Sequence, residues 1–113
     1  MDSPQRYAIR YTETALLDIE EKADYIAQQL RDSALAAQWY RRLKASIQEE
    51  LSFLPLKYPL YDVSPWKERG VRLLITRNDV ILYSVEPDQH QVYILGICTR
   101  GRDLTRHLQG SES

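Results

Sequence analysis

Hydrophobic residues follow a helical period in the first half of this chain and a strand-like alternation in the second half. Before the first helical segment, Tyr7-Ala8-Ile9-Arg10-Tyr11 alternates and predicts a short N-terminal strand. A hydroxyl at Thr12 or Thr14 is then placed to accept from the unpaired amides of a first helical turn. The apolar residues of this helix predict one core-facing stripe, formed by Leu16, Ile19, Ala23, Ile26 and Leu30.

A second amphipathic segment follows the short polar link Arg31-Asp32-Ser33, in which Asp32 or Ser33 is a suitable helix cap. Its apolar stripe comprises Ala36, Tyr40, Leu43, Ile47, Leu51 and Leu54, with Trp39 on the flank. Because the link is so short, the two helices must fold back on each other as an antiparallel hairpin. Pro55 is predicted to end the second helix, and stretch 55–69 to form an irregular loop whose aromatic residues pack on the domain.

The second half of the chain contains three runs rich in β-branched and aromatic residues, separated by short polar breaks. These runs are Gly70–Ile75, Val80–Val85 and Val92–Cys98, and they predict a three-stranded antiparallel meander. Gly96 interrupts the bulky residues of the last run, which indicates a bulge or a close backbone approach.

Beyond the meander, Asp103 is a candidate cap for a short C-terminal helix with Leu104 and Leu108 on one face. The predicted order of elements is therefore strand, helical hairpin, loop, three strands and short helix. This order predicts an α+β fold (β-α-α-β-β-β) in which an antiparallel helical hairpin packs on an antiparallel sheet. We expect one domain over residues 1–113, ordered from about residue 6 to residue 108.

Charge narrows the classes of function that this chain can serve. It has 113 residues, a formal net charge of −1 and a pI of about 6.1, whereas domains that bind nucleic acid by charge alone are usually strongly basic. Stretch 66–108 contains seven basic and five acidic residues, and stretch 13–50 contains five basic and eight acidic residues. We therefore expect a weak positive field on the sheet side of the molecule.

The sequence gives no support for a secreted, membrane-spanning, cofactor-binding or metal-binding protein. The N-terminus lacks a secretory signal, and no apolar run is long enough to cross a membrane. The single cysteine, Cys98, suits a reducing compartment, so we expect a cytoplasmic protein without a membrane partner. There is no glycine-rich phosphate loop, and His90, His107 and Cys98 are scattered, so neither a cofactor nor a metal site is expected.

The arginines are the residues best suited to binding. Arg72 lies inside a predicted strand, where it serves either a solvated sheet face or an anion contact. A small basic cluster follows the last strand and comprises Arg100, Arg102 and Arg106. This cluster either solvates a chain end or binds a phosphate or carboxylate through paired guanidinium contacts. Tyr83 fits a core position better than a catalytic one, and His107 is the near-neutral proton carrier beside the cluster.

A series of short motifs in a fixed order links the chain to a known family. The motifs are Tyr11-Thr12-Glu13-Thr14-Ala15, Ala36-Ala37-Gln38-Trp39, Leu54-Pro55, Tyr58-Pro59-Leu60, Gly70-Val71-Arg72, Val80-Ile81-Leu82-Tyr83 and Arg102-Asp103. Through them the chain resembles the RelE/ParE superfamily of type II toxin–antitoxin toxins over about residues 6–108. The resemblance implies a small bacterial toxin, neutralised by an antitoxin whose extended or helical tail wraps the toxin surface.

The members of this superfamily have two different activities, and the residues of this chain can be compared with each group. RelE-like members are ribosome-dependent ribonucleases with an arginine on the second strand, basic residues at the end of the last strand, and a tyrosine or histidine near the C-terminus. Arg72, Arg100 or Arg102, and His107 match parts of that set, but the terminal tyrosine is absent. ParE-like members lack the set and poison DNA gyrase. The long hairpin, the absent tyrosine and the low pI favour the ParE-like interpretation.

We therefore expect a toxin that inhibits DNA gyrase by binding and forms a hetero-oligomer with a cognate antitoxin. The alternatives are a RelE-like mRNA endoribonuclease acting on the ribosome, with catalytic residues Arg72, Arg100, Arg102 and His107, and an inactive relative that serves as a protein-binding module. The residues expected to contact the target are Arg72, Arg77, Tyr83, Arg100, Arg102 and Arg106. Those expected to contact the antitoxin are Leu16, Ile19, Trp39 and Tyr40. Asp79 and Thr99 stand where relatives often have an aromatic residue and a histidine, which leaves the toxin's activity open.

Overall fold

The computed structural model of the protein describes residues 6–101, and the order of elements predicted from the sequence is confirmed over that range. The elements are β1 (Ala8–Tyr11), α1 (Glu13–Gln29), α2 (Ser33–Leu51), β2 (Arg72–Ile75), β3 (Asp79–Glu86) and β4 (Gln91–Thr99). Two single 3₁₀ turns, Pro55–Lys57 and Pro87–Gln89, lie in the connections. The predicted C-terminal helix with Asp103, Leu104 and Leu108 lies outside the described residues.

Side-chain caps start both helices, and in each case the structure selects one of the two predicted residues. Thr12 Oγ1 accepts from the amide of Ala15 at 3.1 Å, and Asp32 Oδ1 accepts from the amide of Leu35 at 3.0 Å. Each cap satisfies a donor that has no partner within the helix. α2 ends at Leu51, earlier than predicted, and Leu54 has a left-handed φ of 48°, so the helix does not reach Pro55.

The four strands form one sheet in the order β1-β4-β3-β2. β2, β3 and β4 pair antiparallel, as the meander predicted, whereas β1 pairs parallel to β4, so the sheet is mixed rather than wholly antiparallel. The parallel pairing arises because the helical hairpin carries the chain away from β1, and β4 returns beside it in the same direction. The predicted irregularity near Gly96 is a shift in register: Leu82 pairs with Gly96 and Tyr83 with Ile94, which leaves Leu95 as the extra residue.

The main core lies between the helical hairpin and one face of the sheet. Its buried members are Ala15, Ile19, Leu43, Ile47, Leu51, Leu74, Ile81, Tyr83, Val92, Ile94 and Ile97. Burying each large side chain contributes roughly 1.5–3 kcal/mol, so this layer supplies most of the hydrophobic stabilisation of the hairpin. The helical stripe is narrower than predicted, because Leu16 and Leu30 are 54% and 58% exposed and Tyr40 is also exposed.

The opposite face of the sheet is covered by the loop between α2 and β2. Trp66, Val71 and Leu82 form a second buried cluster there, with Tyr61, Leu73 and Leu95 packed against it. The loop is tied to the edge of β2 by backbone hydrogen bonds from Tyr61 N to the Val71 carbonyl (2.8 Å) and from Leu73 N to the Pro59 carbonyl (3.1 Å). Its aromatic residues therefore pack on the domain, as predicted.

Candidate functional site

A groove opens between the tip of the helical hairpin and the turn that joins β2 to β3. Its volume is about 450 Å³, which lies within the range of protein ligand sites. We call it the hairpin groove, and it is lined by Lys22, Ile26, Leu30, Leu35, Gln38, Trp39, Arg42, Leu43, Ser46, Thr76, Arg77, Asn78 and Asp79. α1, α2 and the β2–β3 turn each contribute one wall, so the groove exists only in the folded chain.

Asp79, the first residue of β3, forms the polar floor of the groove and is 4% exposed. Its Oδ1 accepts from the Lys22 ammonium on α1, and its Oδ2 accepts from the Trp39 indole N–H on α2 at 3.0 Å. Lys22 also lies 3.3 Å from Thr99 Oγ1 on β4. A buried carboxylate needs such partners, because desolvation without them is costly. Asp79 therefore joins both helices to the sheet.

The backbone around Asp79 is held by Thr76 in the β2–β3 turn. Thr76 N donates to the Asp79 carbonyl at 2.9 Å, and Asp79 N donates to Thr76 Oγ1 at 3.1 Å. This tight turn leaves Arg77 and Asn78 at its exposed tip. The amide of Arg100, one residue beyond β4, donates to the Asn78 carbonyl at 3.0 Å. The turn thus brings Arg77 and Arg100 to the same end of the sheet.

The rim of the groove is cationic. Arg42 on α2 and Arg77 on the turn both line it and are both exposed. No carboxylate of residues 6–101 forms an ion pair with either rim arginine. Lys22, in contrast, is neutralised by Asp79 on the floor. The groove thus presents, beside its apolar walls, two guanidinium groups that no carboxylate of residues 6–101 compensates.

The opposite end of β2 has a different architecture. The Arg72 Nη1 donates to two loop carbonyls, that of Tyr58 at 2.6 Å and that of Leu56 at 3.2 Å. Tyr83, which pairs with Arg72 across the strands, is fully buried and donates its hydroxyl to the Pro55 carbonyl at 2.6 Å. Together these two side chains satisfy carbonyl groups of the loop that follows α2.

Burial and local hydrogen bonds raise the pKa of three tyrosines. Burial raises the pKa of Tyr83 above its ordinary value, an effect that the neighbouring Arg72 charge partly offsets. Burial, and then the proximity of Tyr40, raises the pKa of Tyr11 to about 12. The hydrogen bond to Glu50 raises the pKa of Tyr58 to about 12. All three stay protonated near neutral pH, and two of them act as hydrogen-bond donors, Tyr58 to Glu50 and Tyr83 to the Pro55 carbonyl.

The residues predicted to contact the target are divided by the fold. Arg77 and Arg100 lie at the end of the sheet that holds the β2–β3 turn, near the hairpin groove, whereas Arg72 begins β2 at the other end of that strand. Tyr83 lies in the main core beneath Arg72. Arg102, Arg106 and His107 lie outside the described residues.

The residues predicted to contact the antitoxin are also separated. Trp39 lines the hairpin groove, and Leu16 is exposed near the start of α1. Tyr40 is exposed on another side of α2, where the Lys44 ammonium lies 5.4 Å from its ring centre. Ile19 is 5% exposed and belongs to the main core. The predicted set therefore does not form one continuous surface.

Sequence reasoning missed several residues of the groove. Leu30 was predicted to face the core and instead forms an exposed groove wall, and Leu35 and Arg42 were not singled out. The contacts of Asp79 on the floor of the groove were also missed. Its position at the start of an apolar strand could have indicated them, because a buried carboxylate requires a partner from another element. Trp39 on the flank of α2 was the second signal, because its indole N–H needs an acceptor.

Residues 6–101 contain neither a cluster of metal-binding side chains nor a membrane-spanning helix. No group of three or more histidine, cysteine, aspartate or glutamate side chains in this range is placed to hold a metal ion. In the same part of the chain, neither helix has the length and apolar character needed to cross a membrane.

Comparison with known proteins supports the architecture. No family model matches the sequence, and no curated protein matches it. Among solved structures, the toxin–antitoxin complex RelBE2 from Mycobacterium tuberculosis matches with a TM-score of 0.66 and 19% identity, over 90% of this chain and 100% of the matched chain. The chromosomal ParDE TA system from P. aeruginosa matches with a TM-score of 0.66 and 17% identity, over 83% and 96%. The chain therefore has the fold found in these two complexes, as its resemblance to RelE/ParE toxins predicted.

Proposed function

We propose that this chain is the toxin subunit of a type II toxin–antitoxin pair, that it arrests growth by inhibiting DNA gyrase, and that a cognate antitoxin neutralises it. One observation carries the toxin assignment: the fold is shared, over nearly the full length of both chains, with chains of two toxin–antitoxin complexes. The motif order in the sequence points to the same superfamily independently of the structural comparison.

The distribution of arginines favours action by binding over action by bond cleavage. An RNase must place a base at the 2′-hydroxyl and cations at the scissile phosphate within one small site. Here Arg72, at the start of β2, donates to the carbonyl groups of Leu56 and Tyr58, whereas Arg100 contacts the turn that follows the other end of β2. We therefore place the target contact at Arg77 and Arg100, with Arg102 and Arg106 following in sequence. In this proposal Arg72 and Tyr83 support the loop and do not touch the target.

A ribosome-dependent mRNA endoribonuclease is the second candidate, because the fold matches the RelBE2 complex as closely as the ParDE system. In that case Arg72, Arg100, Arg102 and His107 would act on the scissile phosphate. Arg72 would then have to exchange its contacts with the loop carbonyls for contacts with RNA, which would release the loop that it holds.

Pulse labelling separates these candidates. The chain is induced alone in bacteria, and nascent DNA and nascent protein are labelled over the following minutes. Gyrase inhibition predicts an early fall in DNA labelling while protein labelling continues. Ribonuclease action predicts the reverse order, and an unchanged culture would leave only an inactive relative that binds other proteins.

A matched pair of variants then tests the contact surface. The double variant Arg77→Ala/Arg100→Ala should lose growth arrest, whereas Arg41→Ala, an exposed arginine of α2 outside the groove, should retain it. In a supercoiling assay with purified DNA gyrase, the Arg41→Ala protein should inhibit the enzyme and the double variant should not. Full inhibition by the double variant would show that the target does not bind at this end of the sheet.

A further inference from the structure

The side of the hairpin that is turned away from the sheet carries charge of opposite sign on its two helices. We call it the outer hairpin face and define it by the exposed residues Leu17, Glu20, Glu21, Asp24, Arg41 and Arg42. Over its full length α1 contains five acidic residues and one basic residue, whereas α2 contains three basic and two acidic residues. We propose that two copies of this chain associate through the outer hairpin face, with α1 of each copy packed on α2 of the other.

The acidic side chains of α1 lie opposite the buried side of that helix. The buried residues of α1 are Ala15, Ile19 and Ile26. The helical period places Glu20, Glu21 and Asp24 on the other side, where all three are exposed. None of them forms an ion pair within residues 6–101, and the basic residue of α1, Lys22, turns instead to Asp79 on the groove floor. The outward side of α1 is therefore a row of carboxylates that the described part of the chain does not compensate.

The outward side of α2 presents the complementary charge. The buried residues of this helix are Ala36, Leu43, Ile47 and Leu51. Arg41 and Arg42 lie away from that buried side, and both are exposed without an ion pair in residues 6–101. The acidic residues of α2, Glu49 and Glu50, come only in its last turn. Most of the outward side of α2 is therefore cationic.

The two rows of charge stand at the same level along the hairpin. The Lys22 ammonium lies 5.3 Å from the centre of the Trp39 ring, so these two residues share one level. Because the helices run in opposite directions, the glutamates that precede Lys22 are level with the arginine pair that follows Trp39 closely. A two-fold axis along the hairpin therefore sets the carboxylates of each copy over the guanidinium groups of the other. An axis across the hairpin would set like charges against each other, so charge selects the first arrangement.

The same face also offers apolar area. Leu17 and Tyr25 are 51% and 62% exposed and stand one helical turn before and after Glu21. Ala34 and Ala37 on α2 are exposed and small, so they leave room for large side chains of the other copy. Two helices, each about 10 Å wide and about 25 Å long, give a face of about 500 Å² per copy. Twice that area lies near the lower limit of specific interfaces, so we expect a reversible dimer with a Kd in the micromolar range.

The dimer is independent of the proposed toxin function. Arg77 and Arg100, which we assign to the target, lie at the end of the sheet and outside the outer hairpin face. Association through the hairpins therefore does not cover them, and growth arrest does not require it. Arrest by a chain that stays monomeric would refute only the dimer, whereas a dimer in a chain that causes no arrest would refute only the toxin assignment.

Sedimentation velocity of the full chain provides the first test. Over about a hundredfold range of protein concentration, the mass should rise from that of one chain, 13.3 kDa, towards twice that value. Added salt should weaken the dimer, because exposed charges that attract each other are screened. A chain that stays monomeric at every concentration, or a dimer that is insensitive to salt, would overturn the proposal.

Charge-reversal variants then locate the interface. Glu20→Arg/Glu21→Arg makes the middle of both helices basic, and Arg41→Glu/Arg42→Glu makes it acidic, so each variant alone should have a Kd raised about tenfold or more. An equimolar mixture should dimerise again, because α1 of each copy then faces the opposite charge on α2 of the other. Recovery in the mixture also shows that both variants are folded. Two variants that circular dichroism shows to be folded, and that stay monomeric when mixed, would contradict the arrangement.

A matched control changes the same amount of charge elsewhere. Glu86 and Asp88 are exposed acidic residues beside the connection between β3 and β4, away from both helices. Glu86→Arg/Asp88→Arg should therefore dimerise with the same Kd as the wild type in the same sedimentation measurement. Loss of the dimer in this control would show that net charge, rather than contact between α1 and α2, governs association, and the outer hairpin face would be excluded.

Discussion

Arg72 and Arg77 stand at opposite ends of one short strand region and differ in their contacts. Arg72 donates to two carbonyl groups of the loop that follows α2, beside the buried Tyr83. Arg77 is exposed at the tip of the β2–β3 turn and has no carboxylate partner in residues 6–101. A guanidinium group whose donors are already used holds structure together, whereas one whose donors are unused is available to a ligand. The identity of the residue alone does not distinguish the two.

The same contrast exists within the hairpin groove. Asp79 and Lys22 on the floor compensate each other and connect α1 to β3, while Arg42 and Arg77 on the rim pair with no carboxylate of the described range 6–101. We therefore expect changes to the floor to act on stability and changes to the rim to act on binding. Four predictions test this division and the contrast between Arg72 and Arg77, in order of decreasing effect on the free energy of unfolding.

The largest effect is expected from the floor of the groove. Asp79→Ala leaves the Lys22 ammonium and the Trp39 indole N–H without their acceptor, and it should lower the free energy of unfolding by about 3 kcal/mol. Asp79→Asn keeps an acceptor for Trp39 but removes the charge, so it should fall between Ala and the wild type. Urea unfolding measures both, and an effect below about 1 kcal/mol for Asp79→Ala would show that the floor is not a structural ion pair.

A smaller loss is expected at Arg72. Arg72→Ala removes the donor for the Leu56 and Tyr58 carbonyls, and it should lower the free energy of unfolding by about 2 kcal/mol. Arg72→Lys should recover part of this loss, because an ammonium group reaches one carbonyl but not both in the same geometry. If Arg72→Ala abolished growth arrest without lowering stability, Arg72 would belong to the target surface after all.

Tyr83→Phe tests the same end of β2, and we expect it to change the free energy of unfolding less than Arg72→Ala. Loss of the hydrogen bond to the Pro55 carbonyl should lower the free energy of unfolding by about 1 kcal/mol at neutral pH. Burial raises the pKa of Tyr83 in the folded state above its ordinary value of 10, so its stabilising contribution is present below pH 10 and is lost as the pH rises further. The difference between wild type and Tyr83→Phe should therefore shrink above pH 10 in urea-unfolding measurements. A constant or widening difference would contradict this assignment.

The smallest effect on stability is expected at the exposed arginines beside the β2–β3 turn. Arg77→Ala/Arg100→Ala changes two exposed side chains that make no side-chain ion pair within residues 6–101, so the free energy of unfolding should stay within about 0.5 kcal/mol of the wild type. The same variant should lose growth arrest. If this variant were destabilised as much as Arg72→Ala, the arginines at both ends of β2 would stabilise the fold, and the proposed difference between them would be wrong.

The structure brings together some of the candidate residues that the sequence predicted and separates others. Arg77 and Arg100 were identified as candidates, and the backbone pairing of Arg100 with Asn78 brings them together. Trp39 was assigned to the antitoxin surface and does line the groove. Leu30 was expected in the core, because helical periodicity marks an apolar face without showing where the underlying sheet ends.

The sequence by itself determined the helices, the strands, two candidates for each helix cap and the irregularity near Gly96, because periodicity, capping and turn preferences act over a few neighbouring residues. Only the tertiary structure decided that β1 joins β4 in parallel, that Asp79 meets Lys22 and Trp39, and that Arg72 turns to the loop while Arg77 remains at the surface. These contacts join residues 14 to 83 positions apart in the chain. They depend on how the hairpin crosses the sheet, which no local pattern encodes.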